Sequence, residues 1–150
     1  VAIELHLFGE STSAQRVARL IKGSPRAKIC CVLLRANAER VKKLISGADM
    51  SRVVFVYPDA VGSDIAVPRE NLSTLMITIQ EVLGVLDGEK QLIFDGPDVL
   101  EMVVPQGDLS RFFIFLANRL QRGGISGFLV QPRKAKPLPI VVQLVDRVVN

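Results

Sequence analysis

Short runs of consecutive apolar residues alternate with segments of helical period, and this alternation narrows the possible folds more than any other feature. Val1–Phe8, Ile29–Leu34, Val53–Tyr57, Gln91–Phe94 and Ile125–Gln131 read as strands. Ile29–Leu34 is apolar without a break, as expected for a strand covered on both faces. Between the strands, Ser11, Thr12 or Ser13 caps a helix running to about Lys22, with Ala14, Val17, Ala18 and Ile21 on one side. Gly23, Ser24 and Pro25 stop it. Asn37 caps a second helix, whose Val41, Leu44 and Ile45 face inward and which ends at Gly47. Pro58 closes the third strand, and Asp59–Arg69 has no period and reads as a loop. The longest helical pattern opens at Asn71: Leu72, Leu75, Met76, Ile79, Val82, Leu83 and Leu86 share a face, and Asp87-Gly88 ends it.

The second half continues the pattern. The strand at 91–94 ends on Asp95, and Pro97–Val103 reads as a short helical turn. Asp108 or Ser110 caps the next helix, in which Phe112, Phe113, Phe115, Leu116 and Leu120 are expected in the core; Gly123-Gly124 stops it. Pro132–Pro139 is a basic, proline-rich connection. The segment from Ile140 is ambiguous, because β-branched residues favour strand while Leu138, Val141, Val142 and Val145 make a helical face. It reads as a short helix followed by a strand near Arg147–Val149. Strands alternating with helices of this length predict an α/β fold: a three-layer parallel sheet with helices on both faces. The 150 residues, 49% of them hydrophobic, suit a single domain over 1–150, and no internal repeat or linker interrupts them. No apolar run reaches about 18 residues, so no membrane helix is expected. Val1–Gly9 has no basic region before it and does not read as a signal peptide.

Side chains able to do chemistry are few. Cys30 and Cys31 are adjacent in a strand, so they point to opposite faces and cannot form an ordinary disulfide. They read as buried thiols in a reducing, cytoplasmic setting. His6 is the only histidine and sits in the first strand, where a structural role is expected; no metal site is expected either. Asp95, Asp98 and Glu101 could form a carboxylate cluster supporting an enzyme, although acids at a helix start are also ordinary surface residues. The amides at Ser11–Ser13 could hold an anion or simply be capped. No Gly-x-Ser-x-Gly elbow is present, and a Ser-His-Asp triad is not expected.

Several segments, in order, resemble one family. Gln91-Leu92-Ile93-Phe94-Asp95 follows the Walker B pattern. Cys31–Val41 is similar to the second strand and following helix of KaiC-type ATPases, and residues 70–86 resemble their long helix. Arg111–Val130, with its double glycine, resembles the helix and strand after Walker B, and Gln143–Val148 a stretch near the end of that core. The chain thus resembles the RecA/KaiC-like P-loop ATPases, and more narrowly small archaeal relatives of KaiC that have lost the ATPase motifs. The resemblance implies a RecA-like core. It also marks departures. Working members follow the first strand with Gly-x-x-x-x-Gly-Lys-Ser/Thr, whose amides wrap the phosphates and whose lysine neutralises them. Here the strand runs into Gly9-Glu10-Ser11-Thr12, with no lysine and with an acid where phosphate would lie. Arg35 and Ala36 stand where the family carries its paired glutamates. Asp95 remains, but its magnesium-holding role has no phosphate cradle to work with; alternatively it caps the turn at Gly96-Pro97. The resemblance therefore implies a degenerate nucleotide site at Gly9, Glu10, Ser11, Thr12, Arg35 and Asp95, no catalytic residue and no cofactor.

The net charge of +4 conceals a pattern. Residues 1–43 carry nine basic against three acidic side chains, residues 44–108 three against eleven, and residues 109–150 seven against one. In a RecA-like sheet the two basic thirds would lie together, giving a basic and an acidic flank. Such flanks suit head-to-tail association between copies or with a protein partner. The expected function is a pseudo-ATPase acting as a regulatory or scaffolding module. The alternative is nucleic-acid binding through Arg16, Arg19, Lys22, Arg26, Arg111, Arg119, Arg122, Arg133, Lys134 and Lys136. Against it, aromatic residues make up only 5% and tryptophan is absent, leaving no stacking platform.

Overall fold

The computed structural model describes residues 2–150; Val1, the first residue of the first expected strand, lies outside them. Seven strands form one parallel sheet: β1 (Ile3–Phe8), β2 (Lys28–Leu33), β3 (Val53–Tyr57), β4 (Ile65–Ala66), β5 (Lys90–Asp95), β6 (Ser126–Pro132) and β7 (Arg147–Val149). Their order across the sheet is β4-β3-β2-β5-β6-β1-β7. All pairings are parallel, with Leu33 opposite Asp95, Asp95 opposite Val130, and Phe8 opposite Pro132. Parallel pairing needs crossovers, and the amphipathic segments supply them.

Two apolar layers cover the sheet. On one face, α1 (Ser13–Lys22) and α2 (Ala38–Lys43) bury Ala14, Val17, Ile21, Ala38 and Val41 against Ile29, Cys31, Phe55, Ile93 and Val130. On the other, α4 (Leu72–Val85), α6 (Gln106–Gly123) and α7 (Pro139–Leu144) pack on Leu5, Cys30, Val32, Leu92, Phe94 and Leu129. Cys30 and Cys31 therefore sit in different layers, both fully buried, and burial pushes the Cys30 thiol up to about 12. Phe94, Phe112 and Phe113 meet in tilted and edge-on contacts that fill the second layer.

Most element ends follow their capping signals. Thr12 caps α1 with a reciprocal bond to Gln15, Asn37 caps α2, Asn71 caps α4, and Gly124 ends α6 in the left-handed region. Four expectations are corrected. Gly47 does not end the second helix; it begins a one-turn helix, α3 (Gly47–Met50), capped by Ser46, and Leu44 is exposed rather than inward. The 59–69 segment is not wholly loop, because Ile65–Ala66 extends the sheet as β4, with Lys42 and Tyr57 both bonding Asp64 at 2.6 Å. Helix α6 starts at Gln106, ahead of Asp108 and Ser110, because Pro105 has no N–H to leave unbonded and suits a helix start. Finally, Phe115 and Val142 face solvent, each 52% exposed, because they fall off the buried stripes of their helices. A one-turn helix, α5 (Pro97–Leu100), joins β5 to α6.

One buried cation had no signal in the periodicity. Arg52, 9% exposed, donates to the carbonyls of Ile21, Ser24 and Ala27 and pairs with Asp49 at 2.7 Å. It thereby ties together the carbonyls where α1 turns into β2, adding a second donor to those of Ile21 and Ser24, which also accept the N–H groups of Ser24 and Ala27.

Candidate functional site

Because every strand is parallel, β1, β2, β5 and β6 all end on one edge of the sheet, where open α/β folds place their ligands. The strand order puts β6 between β1 and β5. Gly9–Thr12 therefore lies on one side of β6, and Asp95 with Arg35 on the other.

Asp95 is fully buried. Its Oδ2 accepts the backbone N–H of Arg35 at 3.1 Å and of Ala36 at 2.6 Å, while Oδ1 is buried with no partner. Burial raises its carboxyl to about 6, against the opposing pull of those two amides. The expectation that Asp95 caps the Gly96-Pro97 turn is corrected: its bonds run sideways to the exit of β2. Gly96 makes the turn itself, at φ +98, with its N–H on the Val130 carbonyl. Beside it, the Arg35 guanidinium pairs with Asp98. Of the three acids that could cluster, Asp98 lies near enough to add to the rise of the Asp95 carboxyl while pairing with Arg35, and Glu101 is exposed and stands apart. Among the described residues no group of three His, Cys, Asp or Glu side chains could hold a metal ion.

Across β6, the loop from β1 to α1 closes with the reciprocal cap of that helix. The Thr12 N–H donates to Gln15 Oε1 at 2.8 Å, and the Gln15 N–H donates to Thr12 Oγ1 at 3.2 Å. Glu10 is exposed. The Arg133 guanidinium lies against Gly9, where a Cβ would come within 2.9 Å of it, and the Arg133 N–H donates to the Phe8 carbonyl at 2.8 Å. Arg16 donates to the Leu7 carbonyl at 3.2 Å. Its burial and the nearby charges of Arg19 and Arg133 make its own charge costlier to hold.

The expected basic surface is divided. Arg16, Arg19 and Lys22 ride on α1, whereas Arg111, Arg119 and Arg122 ride on α6, on the opposite face of the sheet. Arg26 lies in the turn before β2, and Arg133, Lys134 and Lys136 follow β6 at the carboxyl edge. The two flanks are also mixed: β1, β6 and β7 do adjoin, but β2 of the basic first third lies between β3 and β5 of the acidic third.

Sequence reasoning missed two features. Glu4 and His6 point from one face of β1 and bond at 3.0 Å, and Arg147 of β7 reaches Glu4 at 2.5 Å. Burial lowers the His6 pKa against the opposing pull of Glu4; the i, i+2 spacing of an acid and a histidine was the available signal. The second is an open groove of about 790 Å³ between the start of α4 and the first half of α6. Nothing in the helical period marks it, because the sequence pattern puts Phe115 in the core, whereas it is exposed.

No family model matches the sequence, and no curated protein matches it. Among solved structures, a KaiC-like protein from the hyperthermophilic archaeon Pyrococcus horikoshii OT3 superimposes with a TM-score of 0.69. The match covers 98% of this chain and 69% of that one at 15% identity. Likeness at that identity speaks for the fold alone. The expected three-layer α/β architecture is borne out, and it is RecA-like.

Proposed function

We propose that the chain is a non-catalytic RecA/KaiC-like domain, a pseudo-ATPase that works as a regulatory or scaffolding module through protein association. The observation that carries this reading is the enclosure of Asp95. A carboxylate that holds magnesium against phosphates must present its oxygens to the ligand. Here one oxygen is taken by the amides of Arg35 and Ala36, and the other is buried. Supporting it, the loop at Gly9–Thr12 lacks the lysine and spends Thr12 and Gln15 on its own cap. Phosphoryl transfer depends on positioning and electrostatics, so losing both cradle and metal ligand removes the activity rather than slowing it. The division of the basic side chains between two helical layers gives nucleic acid no continuous track, which favours a protein partner. Two fully buried thiols suit a reducing compartment.

Isothermal titration with Mg-ATP and Mg-ADP tests the reading. It should show no heat of binding; micromolar affinity for either nucleotide would overturn it.

A further inference from the structure

The outer side of α1 carries positive charge with nothing to balance it. From Ser11 to Ala38 the sequence holds six Lys and Arg and no Asp or Glu. Arg19 and Lys22 are exposed and, one turn apart, share a side of the helix with Gln15. Arg16 extends the row toward the end of β1, where Arg133 lies against Gly9. Arg16 is half-buried, and its Nε has no acceptor. Among the described residues, none of Arg16, Arg19, Lys22 and Arg133 belongs to an ion pair. The acids nearest along the chain do not change this: Glu10 is exposed in the loop before α1, and Glu39 is exposed at the opposite end of α2 from Leu44. Surface helices ordinarily mix both signs. A row of one sign, whose members repel one another, is completed by an anion from outside.

The shape beside the row narrows the anion. A crevice of about 430 Å³ opens between α1 and the end of α2, lined by Gln15, Ala18, Arg19, Lys22 and Leu44. Leu44 is 38% exposed there. Cations and apolar surface therefore stand side by side. An aliphatic side chain would cover Leu44 and Ala18, while carboxylates flanking it would meet Arg19 and Lys22; a guanidinium takes a carboxylate through two parallel bonds. Clusters of this kind are a recurring way of holding acidic peptide segments. The ten residues of α1 make it about 15 Å long, which suits a short peptide segment. Against nucleic acid, α1 has no aromatic ring on which a base could stack.

We propose that the outer side of α1 and the crevice beside it bind a short acidic segment of a partner protein: Arg19 and Lys22 hold its carboxylates, and Leu44 with Ala18 receives an aliphatic side chain between them. The proposal rests on the association reading above and gives the partner a chemistry.

Fluorescence anisotropy with two labelled peptides tests it. One is a run of Glu and Asp with a Leu at its centre, and the other has Ser in place of that Leu. The Leu peptide should bind the wild-type chain at low salt, more tightly than the Ser peptide, and should weaken as salt is raised. Arg19→Glu combined with Lys22→Glu should weaken it by about tenfold or more while keeping the wild-type circular dichroism; if that variant misfolds, Gln15→Glu, at an exposed position, takes its place. Leu44→Ser should bring the two peptides to equal affinity. No binding at low salt, equal binding of the two peptides by wild type, unchanged affinity in the charge variants, a preference for Leu that survives Leu44→Ser, or tighter binding of a single-stranded oligonucleotide of matched charge would each overturn the proposal. A chain that ignores both peptides and is silent toward Mg-ATP loses this surface and keeps the non-catalytic reading. A chain that binds the Leu peptide and nucleotide does the reverse.

Discussion

Replacing Asp95 with asparagine should flatten one part of the dependence of stability on pH. The folded carboxyl titrates near 6, against an ordinary value of 3.8, because it is enclosed. A raised pKa means that the folded state binds the proton more tightly than the unfolded chain. The associated stability is fully present below pH 3.8 and is lost as the pH rises through 6. The difference of roughly two pH units corresponds to about 3 kcal/mol in full, of which about 1.4 kcal/mol is recovered between pH 7 and pH 5. In Asp95→Asn the amide oxygen can still accept from Arg35 and Ala36, and the change puts an NH2 where Oδ1 lies unpartnered. That cost does not depend on pH, so the slope carries the information and the absolute stability does not. His6 and Asp49, whose pKa values are lowered, contribute with the opposite sign and lose stability as the pH falls. Both chains share those groups, so the difference between the two removes them. Urea unfolding of both chains at half-unit steps from about pH 4.5 to about pH 7.5, with equal m-values, provides the comparison. Wild type should gain about 1 to 2 kcal/mol on Asp95→Asn across that range as the pH is lowered. Parallel curves would refute the claim that Asp95 is sealed from solvent, and with it the support it lends to the non-catalytic reading.

Other substitutions test the frame. Arg52→Ala leaves the Ala27 carbonyl without its donor, takes one donor each from the carbonyls of Ile21 and Ser24 and removes the partner of Asp49, and should cost about 2 kcal/mol in urea unfolding; a loss below about 0.5 kcal/mol would show that the backbone donors alone hold this turn. Gly96→Ala forces a Cβ to within 3.1 Å of Val99 and 3.3 Å of Leu34 in a left-handed conformation. It should lower stability by about 2 kcal/mol, read as a shifted denaturation midpoint. Thr12→Ala removes one side of the α1 capping box and should cost about 1 kcal/mol. It should also leave the chain without affinity for inorganic phosphate; calorimetric binding of phosphate by this variant would mean that the cap had been masking an anion site.

Much of the fold was readable because its local signals agree. Asn37, Asn71, Thr12 and Gly124 each sit where capping chemistry puts them, and even the ambiguous C-terminal segment resolved into α7 and β7 as its mixed pattern implied. The failures have physical causes. A two-residue strand such as β4 has no period to detect, and it is held by Tyr57 and Lys42 converging on Asp64, a contact made only in the folded chain. The start of α6 was set by Pro105 rather than by the acceptor side chains downstream. At the site, the sequence placed Arg35 and Asp95 correctly at neighbouring strand ends. It could not show that Asp95 turns toward the amides of Arg35 and Ala36 instead of its own turn, because that depends on the register of β2 against β5. The Phe115 error was one of angle: its neighbours at 112, 113 and 116 all face the core, and a position between them on the chain lies well round the helix from them.

The paired thiols on β2 offer a way to watch the protein breathe. Cys30 reports on the layer built from α4, α6 and α7, and Cys31 on the layer built from α1 and α2. Single Cys→Ser variants would each leave one sealed thiol as a clock for the opening of one layer. If the two layers detach independently, their labelling rates with an excess of thiol reagent will differ and will respond separately to denaturant. If the sheet and both layers open as one unit, the two rates will converge on global unfolding.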